Sequence, residues 1–379
     1  MHVPFNRTGP VGLEATYVTE VMTSGRLGGN GDFTRRAEDR LRGHFENNAV
    51  LLTASCTDAL ELAAILTGIA PGDEVILPSF TFVSTANAFC LRGAVPRFVD
   101  IDPITLNLDP AQIEAAITPR TKVIVPVHYA GNPCDMTAIL AIATRHGLQV
   151  VEDAAQALGS MRDGRPVGLE GALSAISFHE TKNVGCGEGG ALIVNDPSLI
   201  ERAHVLRDKG TNRRAFRLGQ TEKYSWVDIG SSYAMSELSA AYLLGQLEQL
   251  HHVTTRRCTI WHDYHAALTP LQKLGHIGLP HVPAPGEGNG HIFYLLLSSE
   301  QEKHRLIAHL AQADVQAVFH YVPLHTSPFG RAFGGRPGDL PVTERISEQL
   351  LRLPMGLFLD RDTIDHIVDT IFDFFGRSR

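Results

Sequence analysis

The 379-residue chain predicts an α/β fold: a three-layer large domain built on a mostly parallel central sheet, residues 1–249, and a smaller C-terminal α+β domain, residues 250–379. Three observations predict it. Short runs of Val, Ile and Leu recur without polar alternation, which is how strands buried on both faces of a parallel sheet read. Segments with apolar residues at helical spacing separate them, and strand–helix alternation implies right-handed crossovers. Beyond about residue 250 the texture changes to a Pro/Gly loop, scattered short strands and amphipathic helices.

In order, VLLTAS precedes the helical TDALELAAILTG, and DEVILP precedes FVSTANAFCLRG. VPRFVD, KVIVPVHY, LQVVED, LSAISFH and GALIVND follow as strands, with DMTAILAIATRHG a helix that Gly147 stops. Residues 236–266 read as one or two long helices. HVPAPGEGNGH is a loop, IFYLLLS a strand, EKHRLIAHLAQADV a helix, VQAVFHYVP a strand and DTIDHIVDTIFDFF a final amphipathic helix.

Composition narrows the function. With 44% hydrophobic and 20% charged residues the chain buries a sizeable core. A formal charge of −8, without a basic block, argues against binding nucleic-acid backbone but leaves room for a small anion. The 5 cysteines are scattered with no CxxC pair, which fits a reducing compartment and excludes the usual zinc knuckle, so no metal is expected. The N-terminus lacks a signal-peptide pattern, and no apolar run approaches the ~18 residues of a membrane span. A cytoplasmic protein is expected.

In open parallel sheets ligands sit outside the carboxyl ends of the strands. After VLLTA, Ser55, Thr57 and the Asp58 amide open a helix, which makes either an ordinary N-cap or an anion site suited to phosphate. After LQVVED come Asp153 and Gln156; a strand-end carboxylate needs a cation or donors, structural or ligand-borne. Ser177 ends the next strand, followed by His179, Lys182 and the glycine-rich GCGEGG. A lysine at a partly apolar site has a depressed pKa and becomes nucleophilic. The glycines are no Walker loop, because no GK[ST] follows. Each feature alone has a plain structural reading. Together, a phosphate cradle, a strand-end acid and an amine 29 residues later meet the needs of pyridoxal phosphate, PLP.

PSFTFVSTANA, VPVHYAG, VVEDAAQALGS and SFHETKNVGCGEGGA closely resemble the DegT/DnrJ/EryC/StrS sugar-nucleotide aminotransferases, and the resemblance runs from PFNRTGPVG to the end. A narrower likeness, in SGRLGGNGDFTRR, RDKGTNRR, KYSWVDIGSSYAMSEL and FHYVPLHTSP, is to the branch making dTDP-4-amino-4,6-dideoxygalactose for surface polysaccharide, as in lipopolysaccharide or enterobacterial common antigen. The resemblance implies an aspartate-aminotransferase-like fold (fold type I) and a homodimer with shared active sites. It implies L-glutamate as amino donor and a dTDP-linked 4-keto-6-deoxy sugar as acceptor.

By the same resemblance Lys182 binds the cofactor covalently, Asp153 meets the pyridine nitrogen and Gln156 the 3-hydroxyl. Phe82 stacks on the ring. Thr57, the Asp58 amide and Ser177 hold the phosphate. Many relatives have a small residue at 58, so only its amide is expected to face inward. Where many place a partner-donated Asn this chain has Ala234, and Ser231 or Ser232 is the expected substitute. Arg213, Arg214 and Lys223 are candidate pyrophosphate contacts, or else solvated loop charges. His179 and His325 are candidate sugar contacts. Gly28, Gly29 and Gly31 are expected to shape a loop near the entrance.

Rival readings remain. A PLP-dependent sugar dehydratase would carry histidine in place of Lys182. A gluco-configured product or a 3-keto acceptor depends on pocket shape rather than residue types. A sugar-nucleotide-sensing regulator could keep the fold without the chemistry. A dinucleotide enzyme would need GxGxxG where SCTDAL stands.

Overall fold

The computed structural model describes residues 2–282 and 284–378. Its large sheet has seven strands: β1 (Ala49–Thr53), β2 (Glu74–Pro78), β3 (Val95–Val99), β4 (Thr121–Ile124), β5 (Gln149–Asp153), β6 (Leu173–Ser177) and β7 (Gly190–Val194). Their spatial order is β1-β7-β6-β5-β4-β2-β3. All run the same way except β7, which pairs antiparallel with both neighbours. This departs from the parallel reading of GALIVND. The reason is the connection: residues 178–189 form a returning loop, too short for the helical crossover a parallel partner needs.

Large-domain helices are α1 (Glu14–Ser24), α2 (Asp32–His44), α3 (Cys56–Leu66), α4 (Val83–Cys90), α5 (Pro110–Ala116), α6 (Met136–His146), α7 (Ile200–Arg207), α8 (Arg213–Arg217) and α9 (Glu237–Glu248). Gly147 ends α6 in the left-handed region, φ 64°. Alternate residues of one strand feed different layers. Leu51 packs in the core under α3, α4 and α7, while Val50 and Leu52 pack with α1, α2 and α9. Ile76, Ile124 and Val150 meet α5 and α6 on that second face. With both faces covered, the strands have no polar side to show.

After α9 the long α10 (Leu250–Lys273) leads into α11 (Glu300–Gln312), α12 (Pro341–Gln349) and α13 (Arg361–Phe374). They surround a small sheet of β8 (Tyr294–Leu296), β9 (Val318–Phe319) and β10 (Leu350–Arg352), in the order β8-β10-β9. At the start of the chain, Val3 bridges Val315 and is buried among side chains of the C-terminal elements. Among the described residues no helix is long and apolar enough to cross a membrane.

Candidate active site

Since β1, β5 and β6 share a direction, their carboxyl ends meet at one edge of the sheet. A cavity of about 720 Å³ lies there, bordered by Val318, Phe319 and Arg352 of the small domain's β9 and β10. Thr57, Phe82, Asp153, Gln156, Ser177, His179 and Lys182 all line it.

At the β1 edge, Ser55 has extended backbone and caps α3 by accepting from the Asp58 amide at 3.0 Å. The Asp58 amide is therefore committed to this cap, against the expectation that it faces a phosphate. The preceding amides, of Cys56 and Thr57, have no acceptor among the described residues. They stand at the positive end of an 11-residue helix, with the Thr57 hydroxyl 2.7 Å from Ser84 Oγ. Gly190 makes the approach possible: a Cβ there would stand 2.4 Å from Ser55 O and 2.5 Å from the Cys56 nitrogen. Asp58 does not line the cavity. Burial, and then Glu61, push its carboxyl up to about 6.

Asp153 is buried at the end of β5. Its Oδ2 accepts from Thr85 Oγ1 at 2.7 Å and its Oδ1 from the Ala155 amide at 3.2 Å. Gln156 is held at both ends: Oε1 accepts from the Ala130 amide at 2.6 Å, and Nε2 donates to Tyr321 Oη at 2.7 Å. Lys182 sits in the returning loop, its amide bonded to His179 O at 2.8 Å. Its amine has no hydrogen-bond or ion-pair partner among the described residues. Desolvation pushes its pKa down, opposed by the nearby Cys56 and Asp153. Phe82 leaves 58% of its surface exposed beside the cavity, a free ring face. Ser177 Oγ accepts from the His179 amide at 3.3 Å. His179 Nδ1 accepts from the Thr181 amide at 3.2 Å, so the neutral ring carries its proton on Nε2, 3.7 Å from Glu188.

Other predicted residues lie elsewhere. His325 is 1% exposed and outside the cavity. Its Nδ1 lies 2.7 Å from Ser79 Oγ and its Nε2 3.0 Å from Glu344, so it ties α12 to the strand-β2 end rather than facing a ligand. Arg213, Arg214 and Lys223 are exposed, and Arg214 pairs with Glu201 at 2.6 Å. Ser231 and Ser232 are exposed on the same segment, Ser232 bridging Asp208. Gly28 is exposed. Gly29 packs against the chain at 235, where a Cβ would come within 2.3 Å of Met235 O, so in one subunit this loop is a packing contact and not a cavity wall.

The structure adds residues the sequence reading passed over. Tyr321 and His320 stack at 3.7 Å between centroids and line the cavity, with His320 Nδ1 2.7 Å from Tyr129 Oη. They precede His325 in FHYVPLHTSP, and it is the first histidine of this motif, not the last, that lines the cavity. Thr85 lies in the first turn of α4, where a buried Thr gave no signal. Arg352 was findable as the one charge in the apolar run LLRLPM.

Unpaired amides at a helix start, a Cβ-free neighbour, a free aromatic face, a fixed carboxylate and a depressed-pKa amine fit a planar, phosphate-bearing cofactor with a basic ring nitrogen and an aldehyde. Comparison with known proteins agrees in kind. The chain is 38% identical over 336 residues, 88% of each chain, to "Erythromycin biosynthesis sensory transduction protein EryC1" of Saccharopolyspora erythraea. It is 38% identical over 316 residues, 83% of this chain and 79% of the relative, to the dTDP-3-amino-3,4,6-trideoxy-alpha-D-glucose transaminase of Streptomyces venezuelae. Among solved structures, S. venezuelae DesV in complex with a ketimine intermediate superposes with a TM-score of 0.88 at 33% identity, covering 100% of both chains. The PLP-form of the putative sugar aminotransferase Spr1654 from Streptococcus pneumoniae gives 0.91 at 26% identity, covering 99% of this chain and 98% of that one. Residues 12–372 match one family model throughout, spanning the cradle, Asp153, Lys182 and most of the small domain. With fold, site and sequence in accord, the chain belongs to the DegT/DnrJ/EryC1/StrS aminotransferase family.

Proposed function

We propose that the protein is a PLP-dependent aminotransferase that moves an amino group from L-glutamate to the keto carbon of a dTDP-linked 6-deoxy sugar. In its most specific form the acceptor is dTDP-4-keto-6-deoxy-D-glucose and the product dTDP-4-amino-4,6-dideoxy-D-galactose, with 2-oxoglutarate released. The observation that carries this reading is the meeting of Lys182 and Asp153 in one cavity, beside the unpaired amides of Cys56 and Thr57.

PLP, when bound, supplies an electron sink for charge developing at the reacting carbon. The chain's own residues divide the remaining work. The α3 amides, with Thr57 and Ser177, hold the phosphate. Phe82 would pack on the ring, and Gln156, held by Ala130 and Tyr321, would face its 3-hydroxyl. Asp153, whose orientation Thr85 and Ala155 fix, holds a proton on the ring nitrogen. Lys182 Nζ would hold the cofactor covalently and would move a proton at the reacting carbon, a role worth ~100- to 10,000-fold. Its depressed pKa raises the fraction of uncharged amine available for both tasks. His179 borders the same space and is the group offered to the sugar.

A homodimer completes the reading. Residues 213–232 put Arg213, Arg214, Lys223, Ser231 and Ser232 on the outside of one subunit, together with Tyr224 and an 80% exposed Trp226. Apolar surface of this kind is covered by a second copy, which brings these cations and hydroxyls toward the other subunit's cavity.

The test is incubation with dTDP-4-keto-6-deoxyglucose and L-glutamate, followed by proton NMR of the product. Coupling at ring carbon 4 distinguishes galacto from gluco, and absence of turnover rejects the acceptor. A second reading, amination at carbon 3, is favoured by the S. venezuelae relative's name and is decided by which ring carbon bears nitrogen. A purely regulatory role, which the name of the S. erythraea relative suggests for that protein, is disfavoured by the intact Lys182, Asp153 and Gln156.

A further inference from the structure

Two histidines line the cavity, and their neighbours fix them in opposite tautomers. His320 follows β9 directly, its ring stacked on Tyr321. Its Nδ1 lies 2.7 Å from the hydroxyl of Tyr129, which is buried and meets no other acceptor among the described residues. A buried phenol hydrogen needs an acceptor, so Tyr129 donates, His320 Nδ1 accepts, and the ring proton stands on Nε2. His291 lies just before β8. Its Nδ1 is 2.9 Å from Asn183 Oδ1, while Asn183 Nδ2 donates to Asn289 O at 2.9 Å. That second bond fixes which end of the Asn183 amide meets the ring. His291 therefore donates through Nδ1, and its Nε2 is a bare lone pair. Neither Nε2 has a hydrogen-bond partner among the described residues, and neither is sealed in the interior, so each is open to the space its ring borders. Burial, helped by the Lys182 and Arg352 charges, holds both rings well below the usual histidine pKa, and both are neutral at ordinary pH.

A neutral N–H and a bare nitrogen on one cavity suit a group that both accepts and donates. A carboxylate or phosphate only accepts, and an ammonium only donates. Resting on the aminotransferase reading above, we infer that His320 and His291 bind the hydroxyl on the carbon next to the keto carbon of the acceptor sugar. That hydroxyl accepts from His320 Nε2 and donates to His291 Nε2. For a 4-keto-6-deoxy sugar it is the 3-hydroxyl, because carbon 5 offers only a methyl group and the ring oxygen, which cannot donate. L-Glutamate carries no hydroxyl, and the cofactor's own 3-hydroxyl belongs with Gln156. Both rings feel the Lys182 charge, and His291 is tied to the next residue of the chain, Asn183, so what they hold lies close to the reacting carbon. The pair thus sorts acceptors by a hydroxyl rather than by charge. A sugar without it leaves two buried nitrogens unpaired, which is how a polar site rejects a deoxy analogue.

The test sets dTDP-4-keto-6-deoxy-D-glucose against its 3-deoxy analogue. Each is given to holoenzyme that has taken its amino group from L-glutamate, and single turnover is followed by cofactor absorbance. Wild type is expected to prefer the hydroxylated sugar roughly 10- to 100-fold at limiting sugar. His320→Phe, which keeps the stack on Tyr321 and removes the donor, should cut that preference to about 5-fold or less. Tyr129→Phe, which only unlocks the tautomer, should lower it by about 2- to 5-fold. Independently of turnover, nitrogen NMR of histidine-labelled protein at neutral pH should show His320 protonated on Nε2 alone and His291 on Nδ1 alone. A wild type that treats the two sugars within about 2-fold overturns the assignment, whether or not a variant folds. So does a variant that keeps the full preference, or either ring found in the other tautomer or doubly protonated. A wild type that neither takes an amino group from L-glutamate nor gives one to either sugar overturns the aminotransferase reading itself, and this assignment with it.

Discussion

The sheet edge that carries Lys182 and the segment 213–232 both hold residues matched to function, but they are built differently. At the edge, each side chain is fixed by a neighbour from another element: Asp153 by Thr85, Gln156 by Ala130 and Tyr321, Thr57 by Ser84. In segment 213–232 the cations and hydroxyls point outward, and Tyr224, Trp226 and Val227 are more than half exposed. In the first region every contact that fixes these side chains comes from the same chain. The second makes physical sense only when something covers it. The difference separates groups positioned by their own fold from groups that the proposed second copy would position.

The strongest way to break this comparison is at the edge itself. Lys182→Ala should lower turnover by about 1,000-fold or more while leaving thermal stability within about 1 kcal/mol. Borohydride reduction followed by peptide mass mapping should lose its tag from the 182 peptide, and near-normal turnover would remove the proposed role. Next comes the outer segment. Trp226→Ala should weaken self-association by about 10- to 30-fold, the effect of removing one buried aromatic anchor, as read by sedimentation velocity across a dilution series. An unchanged dimer, or a monomer in wild type, would put the segment outside the interface.

The smallest effect tests the border of the cradle. The Asp58 carboxyl is raised from 3.8 to about 6, so the folded protein holds its proton more tightly than the unfolded chain does. Stability should therefore fall as pH rises from about 4 to 6 and stay lower above that, because the folded state binds more protons there. Allowing for partial solvent screening, the cost is roughly 1–2 kcal/mol. Asp58→Asn should be more stable than wild type at pH 8 and nearly equal at pH 4, as measured by urea midpoints. A gap that does not change with pH would show that burial of this carboxylate costs nothing.

Legibility followed the same division. The strand runs could be read because both sheet faces are buried, and Asp153, Ser177 and Lys182 because they end those runs or stand in the loop just after one. The direction of β7 could not be read from its apolar residues, which look alike in either sense; only the shortness of residues 178–189 carried that information. His325 was misplaced because a histidine in a motif says nothing about which side it faces, and here Ser79 and Glu344 claim both nitrogens. The Asp58 amide was misassigned because the sequence does not say whether Ser55 or a ligand will take it.

The one reversed strand has a consequence for how the protein can change over generations. Ser177 and Gly190 face each other in register, so the stretch bearing Lys182 is pinned at both ends to adjacent strands. Inserting a single residue between them would either slip that pairing, turning every following side chain of β7 to the opposite layer, or bulge outward and carry the amine away from Asp153. Drift in length is thus shut out at this point of the chain, while the exposed loops elsewhere remain free to grow.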